Sequence, residues 1–318
     1  MDSLQGRRVL ITGAGGFIGA NLTRALLRQG ADVHIIVRPE TNLWRLDEIL
    51  PHLTVHTLDI VERKMLHDTM LRVEPQHIIH LAIRRAESSA QERLDTLQTN
   101  VLGLYNLLEA AEHLDYLSFI HTGSSLEYGP RQAAHKETDR LQPDLFYGAT
   151  RAASTLICQQ FALAHRRPIV ALRLFSVYGY WEDPRHLIPS AILKAFTGQA
   201  LELTAPGLRR DLVFVEDVID AYLLAMQAGR ASGKIINIGS GEQWSNEAVV
   251  ELIGSVTARQ LTVRPGAYPP RASDTTHWVA DIRRAERLLG WRPRHTLRAG
   301  LEKTAAWYGL HPEVCKGV

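Results

Sequence analysis

Three glycines at spacings of three residues, Gly13, Gly16 and Gly19, follow a short apolar run, Arg8–Thr12, near the start of the chain. The chemistry such spacing serves is anion binding by the main chain. Gly13 permits a tight turn, Gly16 lets backbone N–H groups approach a pyrophosphate, and Gly19 lets the following helix pack close to the strand. The N-terminus of that helix adds a partial positive charge. A strand before the glycines and a helix after them make the loop a candidate dinucleotide site. The second apolar run ends Ile35-Ile36-Val37-Arg38-Pro39, with no carboxylate before Glu40. A carboxylate at that place would accept from ribose hydroxyls and repel a 2′-phosphate, whereas the planar guanidinium of Arg38 can fork onto a phosphate. NADP(H) is therefore the favoured cofactor and NAD(H) the alternative. Asp59-Ile60, closing the third run, is placed to meet the adenine; the competing role for Asp59 is to cap the next helix.

These residues need a scaffold, and the pattern supplies one. Strands are expected at Arg8–Thr12, Val33–Val37, Leu53–Leu58, Ile78–Ala82, Leu117–Thr122 and Ile169–Leu174, with helical spacing between them. The longest helices are expected over Gln91–Glu112 and from about Leu145 to His165. Strands alternating with helices argue for an α/β fold, a doubly wound parallel Rossmann sheet joined by right-handed crossovers. Beyond Phe175 the rhythm loosens, with helices at Ser190–Thr197, Val215–Gln227, Asn246–Val256, Asp281–Leu289 and Leu297–Tyr308. We expect residues 1–175 to form the dinucleotide-binding domain. Residues 176–318 would form a smaller, irregular α/β substrate domain, with some segments (about 211–240) returning to the first.

Composition narrows the class. Of 318 residues, 36 are Lys or Arg and 34 Asp or Glu, so a net charge of +2 leaves no bulk electrostatic footprint for nucleic acid. Two cysteines, Cys158 and Cys315, make no disulfide framework, and the histidines show no metal-ligand grouping, so no metal is expected. No apolar run has the length of a membrane span. A cytoplasmic enzyme is the expectation.

Read together, the motifs resemble the extended short-chain dehydrogenase/reductase family, and within it the nucleotide-sugar epimerases, dehydratases and ketoreductases. The resemblance covers nearly the whole chain. It rests on Thr12-Gly13-x-x-Gly16-Phe17-Ile18-Gly19, Asp59-Ile60, His80-Leu81-Ala82, Asn100 and Gly123-Ser124-Ser125-x-x-Tyr128-Gly129. It continues through Tyr147-x-x-x-Arg151, Arg173-Leu174-Phe175-Ser176-Val177-Tyr178-Gly179, Arg210-Asp211-Leu212-Val213 and Leu289-Gly290-Trp291-x-Pro293.

The resemblance implies a catalytic set of Ser124, Tyr147 and Arg151. Tyr147 would pass a proton to or from a sugar oxygen, Ser124 would hold that oxygen, and the cation four residues after Tyr147 would serve both phenol and cofactor ribose. The family carries lysine where this chain has Arg151. A unit charge at about 5 Å and an effective dielectric near 20 is worth roughly 3 kcal/mol, so arginine can supply the electrostatic part. Arginine cannot release a proton, so a relay through an ammonium is lost. The family's dehydratases place an acid–base pair directly after the hydroxyl residue, where this chain has Ser125 and Leu126; dehydration is therefore not expected. The cofactor set implied is Gly13, Gly16, Phe17, Ile18, Gly19, Arg38, Asp59, Ile60, Leu81, Ala82, Asn100, Tyr147 and Arg151.

For substrate, the resemblance places Arg210 and Arg271 on the diphosphate of a nucleotide sugar and Asp274 on the nucleoside ribose, with Ser124, Ser125 and Ser176 near the sugar. Ser176 and Tyr180 stand where the family has Asn and Pro, which alters the substrate loop. The leading expectation is NADP(H)-dependent reduction of a 4-keto nucleotide (deoxy)sugar. An NAD-dependent 4-epimerase is the alternative, and a non-catalytic dinucleotide-sensing protein a third reading. A homodimer through the two long helices is implied by the resemblance.

Overall fold

Val9, Leu10 and Ile11 are apolar at three consecutive positions, which suits a strand covered on both faces. In the computed structural model, which describes residues 3–269, 274–311 and 314, they lie fully buried in β1 (Arg8–Thr12) at the centre of a parallel sheet. The other strands are β2 (Asp32–Val37), β3 (Thr54–Thr57), β4 (His77–His80), β5 (Ser118–Ser124), β6 (Ile169–Leu174) and β7 (Ile235–Ile238). Their order is β3-β2-β1-β4-β5-β6-β7, all neighbours parallel.

Alternation within the strands feeds two cores. Val9, Ile11, Ile35 and Ile79 face one hydrophobic cluster, with Leu22 and Leu26 of α1 (Phe17–Arg28). Leu10, Ile36, Ile78 and Phe119 face the other, with Leu66 and Met70 of α2 (Arg63–Val73). The long helix expected over Gln91–Glu112 is instead α3 (Ala90–Leu97) and α4 (Gly103–Ala111), separated by a π-helical turn over Gln98–Leu102. That turn widens the ladder locally and leaves Asn100 fully buried. Next comes α5 (Phe146–Ala164), packed on β5 and β6.

The strand β7 escaped the sequence reading because Asn237 interrupts its short run of isoleucines. It closes the sheet edge beside β6. Ahead of α7 (Val215–Gln227), which packs across α1, comes α6 (Leu187–Thr197). Then follow α8 (Asn246–Thr257), α9 (Arg283–Leu289) and α10 (Leu297–Leu310). Three small strand pairs complete this half: Ser176–Tyr178 with Leu212–Phe214, Arg209–Arg210 with Trp244–Ser245, and Leu201–Glu202 with Val263–Arg264. Asp211 and Asp217 tie it down. Asp211 is fully buried and accepts from the backbone N–H groups of Ser240, Gly241 and Ala280, while Asp217 accepts from those of Arg294 and His295. No helix among the described residues is long and apolar enough to cross a membrane.

Candidate active site

The sheet order reverses between β1 and β4, where two neighbouring strands send their connections to opposite sides and leave a crevice at their carboxyl ends. A cavity of about 270 Å³ occupies it, lined among others by Gly13, Gly16, Arg38, Asp59, Leu81 and Ala82. Gly13 has φ +79°, and a Cβ there would stand 2.6 Å from the backbone nitrogen of Ala82. A Cβ on Gly19 would collide with the carbonyl oxygen of Gly13. Gly16 caps α1 without a side-chain partner, and no acidic residue sits in the first turn. The helix therefore presents uncapped N–H groups at a cradle in which side chains do not fit, and this suits a dinucleotide pyrophosphate. Phe17 and Ile18 are half-buried, packed onto the core beneath α1, while Ile60 is buried and lines the crevice. Leu81 and Ala82, expected inside the fourth strand, lie just past β4 in the crevice wall.

Two residues at the adenosine end behave differently from a simple reading. Arg38 lines the crevice, yet its Nε lies 3.2 Å from Oε1 of Glu40. Asp59 accepts from the N–H of Val61 in a local turn, and Glu62 is the residue at the start of α2, so helix capping is not Asp59's role. Asn100 does not point its polar groups at the crevice. Its amide donates to the carbonyl of Arg84 and to Thr150 Oγ1, and its Oδ1 accepts from the Arg84 N–H. It fastens the loop after β4 to α5, which shapes the site rather than contacting a ligand.

Tyr147 and Arg151 share one face of α5, one turn apart, and both are buried. The N–H of Tyr147 donates to Oε2 of Glu87 at 2.9 Å, and the guanidinium of Arg85 lies 5.3 Å from the centre of its ring. The loop after β4 thus supplies both an acceptor for the helix start and a cation beside the phenol. Arg151 is 1% exposed.

Ser124 ends β5. Its N–H donates to Oε1 of Glu127 at 2.8 Å, and its Oγ accepts from the N–H of Leu126. Glu127 is fully buried: Oε1 also accepts from Thr155 Oγ1 at 2.9 Å, and Oε2 accepts from Nε of Arg173 at 2.6 Å. Each of its oxygens is committed, so Glu127 holds the Ser124 turn and is not a free acid or base. Ser125 Oγ accepts from the indole N–H of Trp278 at 3.1 Å.

In the second half, Ser176 sits on the short strand beside Leu212, its N–H donating to the carbonyl of Asp211. Arg210 lies 3.8 Å from Asp274 and 6.0 Å from the ring of Trp278; burial pushes its guanidinium below its ordinary value despite the Asp274 charge. Arg210 and Asp274 are therefore brought together, and Trp278 links them to Ser125. Arg271 lies outside the described residues. Trp278, Glu87 and Arg85 were not singled out in the sequence. The signal for Trp278 was its indole, which requires an acceptor when buried; nothing local marked the other two.

The family model for the NAD dependent epimerase/dehydratase family matches residues 9–239. A dTDP-glucose 4,6-dehydratase of Neisseria meningitidis is 28% identical, covering 95% of this chain and 93% of that protein. Among solved structures, the epimerase Mth375 of Methanothermobacter thermautotrophicus superimposes with a TM-score of 0.88 at 29% identity, over 100% of this chain and 97% of that one. A UDP-glucuronic acid 4-epimerase of Bacillus cereus, in complex with UDP-glucuronic acid and NAD, gives 0.84 at 26% identity, over 95% and 99%. The chain belongs to the NAD-dependent epimerase/dehydratase family, the extended short-chain dehydrogenase/reductases of nucleotide sugars.

Proposed function

We propose that this chain carries out oxidation–reduction at C4 of a nucleotide sugar without removing water. The observation that carries the proposal is the turn after Ser124. Ser125 is tied to Trp278, Leu126 has no proton to move, and Glu127 is locked to Arg173, so this turn offers no acid–base pair for dehydration.

Gly13, Gly16 and the start of α1 would hold the pyrophosphate of a nicotinamide dinucleotide, with Arg38 and Asp59 at the adenosine and Arg151 at the nicotinamide ribose. The bound nicotinamide supplies the hydride acceptor and donor. Tyr147 takes the proton of the sugar hydroxyl during oxidation and returns it during reduction, while the Ser124 hydroxyl orients that oxygen. Arg151, one turn along the same face of α5, would bring its cation to the Tyr147 side of the cofactor. Arg210 and Arg271 would clamp the diphosphate, with Asp274 accepting from the nucleoside ribose and Ser125 and Ser176 bordering the sugar.

Between two such reactions, 4-epimerisation with NAD(H) is the better supported. Glu40 stands beside Arg38, and its charge opposes a 2′-phosphate; the Bacillus cereus 4-epimerase, similar over nearly its whole length, holds NAD. Reduction of a 4-keto sugar with NADPH is the second reading, favoured by Arg38 in the crevice lining. A second copy of the chain is the proposed partner: Leu94, Leu97, Leu102 and Tyr105 are exposed along α3 and α4, as are Leu156 and Leu163 on α5.

The test is to identify the dinucleotide carried through purification and then assay. Retained NAD(H) with interconversion of UDP- or dTDP-hexoses and no added cofactor supports the epimerase. Oxidation of NADPH by a 4-keto nucleotide sugar supports the second reading. Dinucleotide binding with no turnover in either assay overturns both in favour of a sensing role.

A further inference from the structure

Where α5 packs on β5, beside its neighbour β4, the fold buries several polar atoms that it does not pair among the described residues. Arg151 presents Nε and Nη1 with no hydrogen-bond partner among the described residues. His80 and His121 are register partners on β4 and β5, both fully buried, their rings stacked with centroids 5.7 Å apart. His80 Nδ1 and Thr12 Oγ1 share a hydrogen bond of 2.7 Å. His80 Nε2 and both nitrogens of His121 have none among the described residues.

Burial first, and then the nearby Arg151 charge, hold His80 down to about 3 and His121 well below its ordinary range. A neutral imidazole has one donor and one acceptor nitrogen. Of the three unpartnered ring nitrogens at least one is therefore an acceptor, whichever tautomer His80 adopts against Thr12. The unpartnered guanidinium edge of Arg151, on the helix packed against β5, is all donor. A buried donor or acceptor left unpaired is costly, so complementary groups of this kind in one buried layer call for a bridge.

We infer that His121, supported by His80, is a positioning residue for Arg151. The neutral imidazoles accept from the Nε and Nη1 edge through buried water and hold the guanidinium in one orientation. Nη2 is then the edge left for the crevice, and the charge stays beside Tyr147 instead of turning toward the sheet. The inference rests on the reading of the crevice as a dinucleotide site.

A double-mutant cycle tests it, with wild type, His121→Phe, Arg151→Lys and the pair. The readouts are the dissociation constants for NAD and NADPH by calorimetry and the unfolding midpoint. Lysine keeps the charge and removes the forked edge. Expected is about a tenfold loss of dinucleotide affinity for His121→Phe when Arg151 is present, and under about twofold in the Arg151→Lys background. His121→Gln, which keeps an acceptor, should restore affinity to within about threefold. In the wild-type protein, ¹⁵N shifts of the His121 ring should report a neutral, hydrogen-bonded imidazole and move on Arg151→Lys. Equal losses in both backgrounds, or His121 shifts indifferent to the Arg151→Lys change, overturn the inference. If wild type binds no dinucleotide, the crevice reading fails, while coupling of the unfolding midpoints and the ring shifts still decides whether His121 orients Arg151.

Discussion

Replacing Glu127 by Gln should unfold the site before it stops the chemistry. The carboxylate is wholly buried, 2.6 Å from Nε of Arg173, which is 1% exposed. Glutamine is nearly isosteric, but it removes the counter-charge and turns one oxygen into a donor facing a guanidinium. Breaking a buried pair by neutralising one partner costs about 3–5 kcal/mol, because the remaining charge stays desolvated. For a chain of this length that corresponds to a fall of roughly 4–8 °C in melting temperature. The double replacement Glu127→Leu with Arg173→Met removes both charges and should regain at least half of the loss. Scanning calorimetry measures the stabilities, and turnover is measured well below the melting point of the variant. The reasoning fails if Glu127→Gln melts within about 1 °C of wild type while turnover collapses. Glu127 would then be a proton carrier beside Ser124, and the exclusion of dehydration would fall with it.

Three further outcomes follow from other parts of the molecule. His135 is fully buried among the rings of Tyr128, Phe175 and Trp278, and burial, with Arg131 nearby, lowers it to about 4. The unfolded chain takes up its proton near 6.5, so the stability present above that pH is lost as pH falls toward 4. His135→Phe should remove this loss and gain about 1–2 kcal/mol relative to wild type at about pH 5 against about pH 8, read from urea midpoints. Gly13→Ala must place a Cβ 2.6 Å from the nitrogen of Ala82 at a positive φ; dinucleotide affinity should fall at least about tenfold by calorimetry, and unchanged affinity would remove the loop from the site. Leu97→Glu with Leu163→Glu charges both exposed apolar faces, so sedimentation should shift from dimer to monomer, whereas a wild type already monomeric would contradict the proposed pairing.

Elements with a long, clean period were legible from residue types alone. The first and sixth strands fall where the apolar runs put them, and α5 ends within a residue of its expected bounds. The glycine loop was legible because strand, spacing and helix agree. Boundaries shifted elsewhere: the helix expected at Ser190–Thr197 starts at Leu187, and Pro189 in its first turn forfeits no hydrogen bond. The π-helical turn was hidden because one extra residue per turn hardly disturbs an apolar period. Within the site, the hidden parts are partnerships across the chain. Glu127 meets Arg173 across 46 positions and Ser125 meets Trp278 across 153, and no periodicity encodes either pair. Arg38 shows the same gap on a small scale, since its preference for Glu40 depends on how the loop after β2 turns.

Mass and NMR analysis of the product formed from UDP- and dTDP-hexoses, by wild type and by Tyr147→Phe in parallel, tests the central claim most directly. The account predicts a product of unchanged mass inverted at C4, formed by wild type and slowed at least about a hundredfold in Tyr147→Phe with dinucleotide affinity retained. A product lighter by one water, or turnover indifferent to the loss of the phenol, would contradict it.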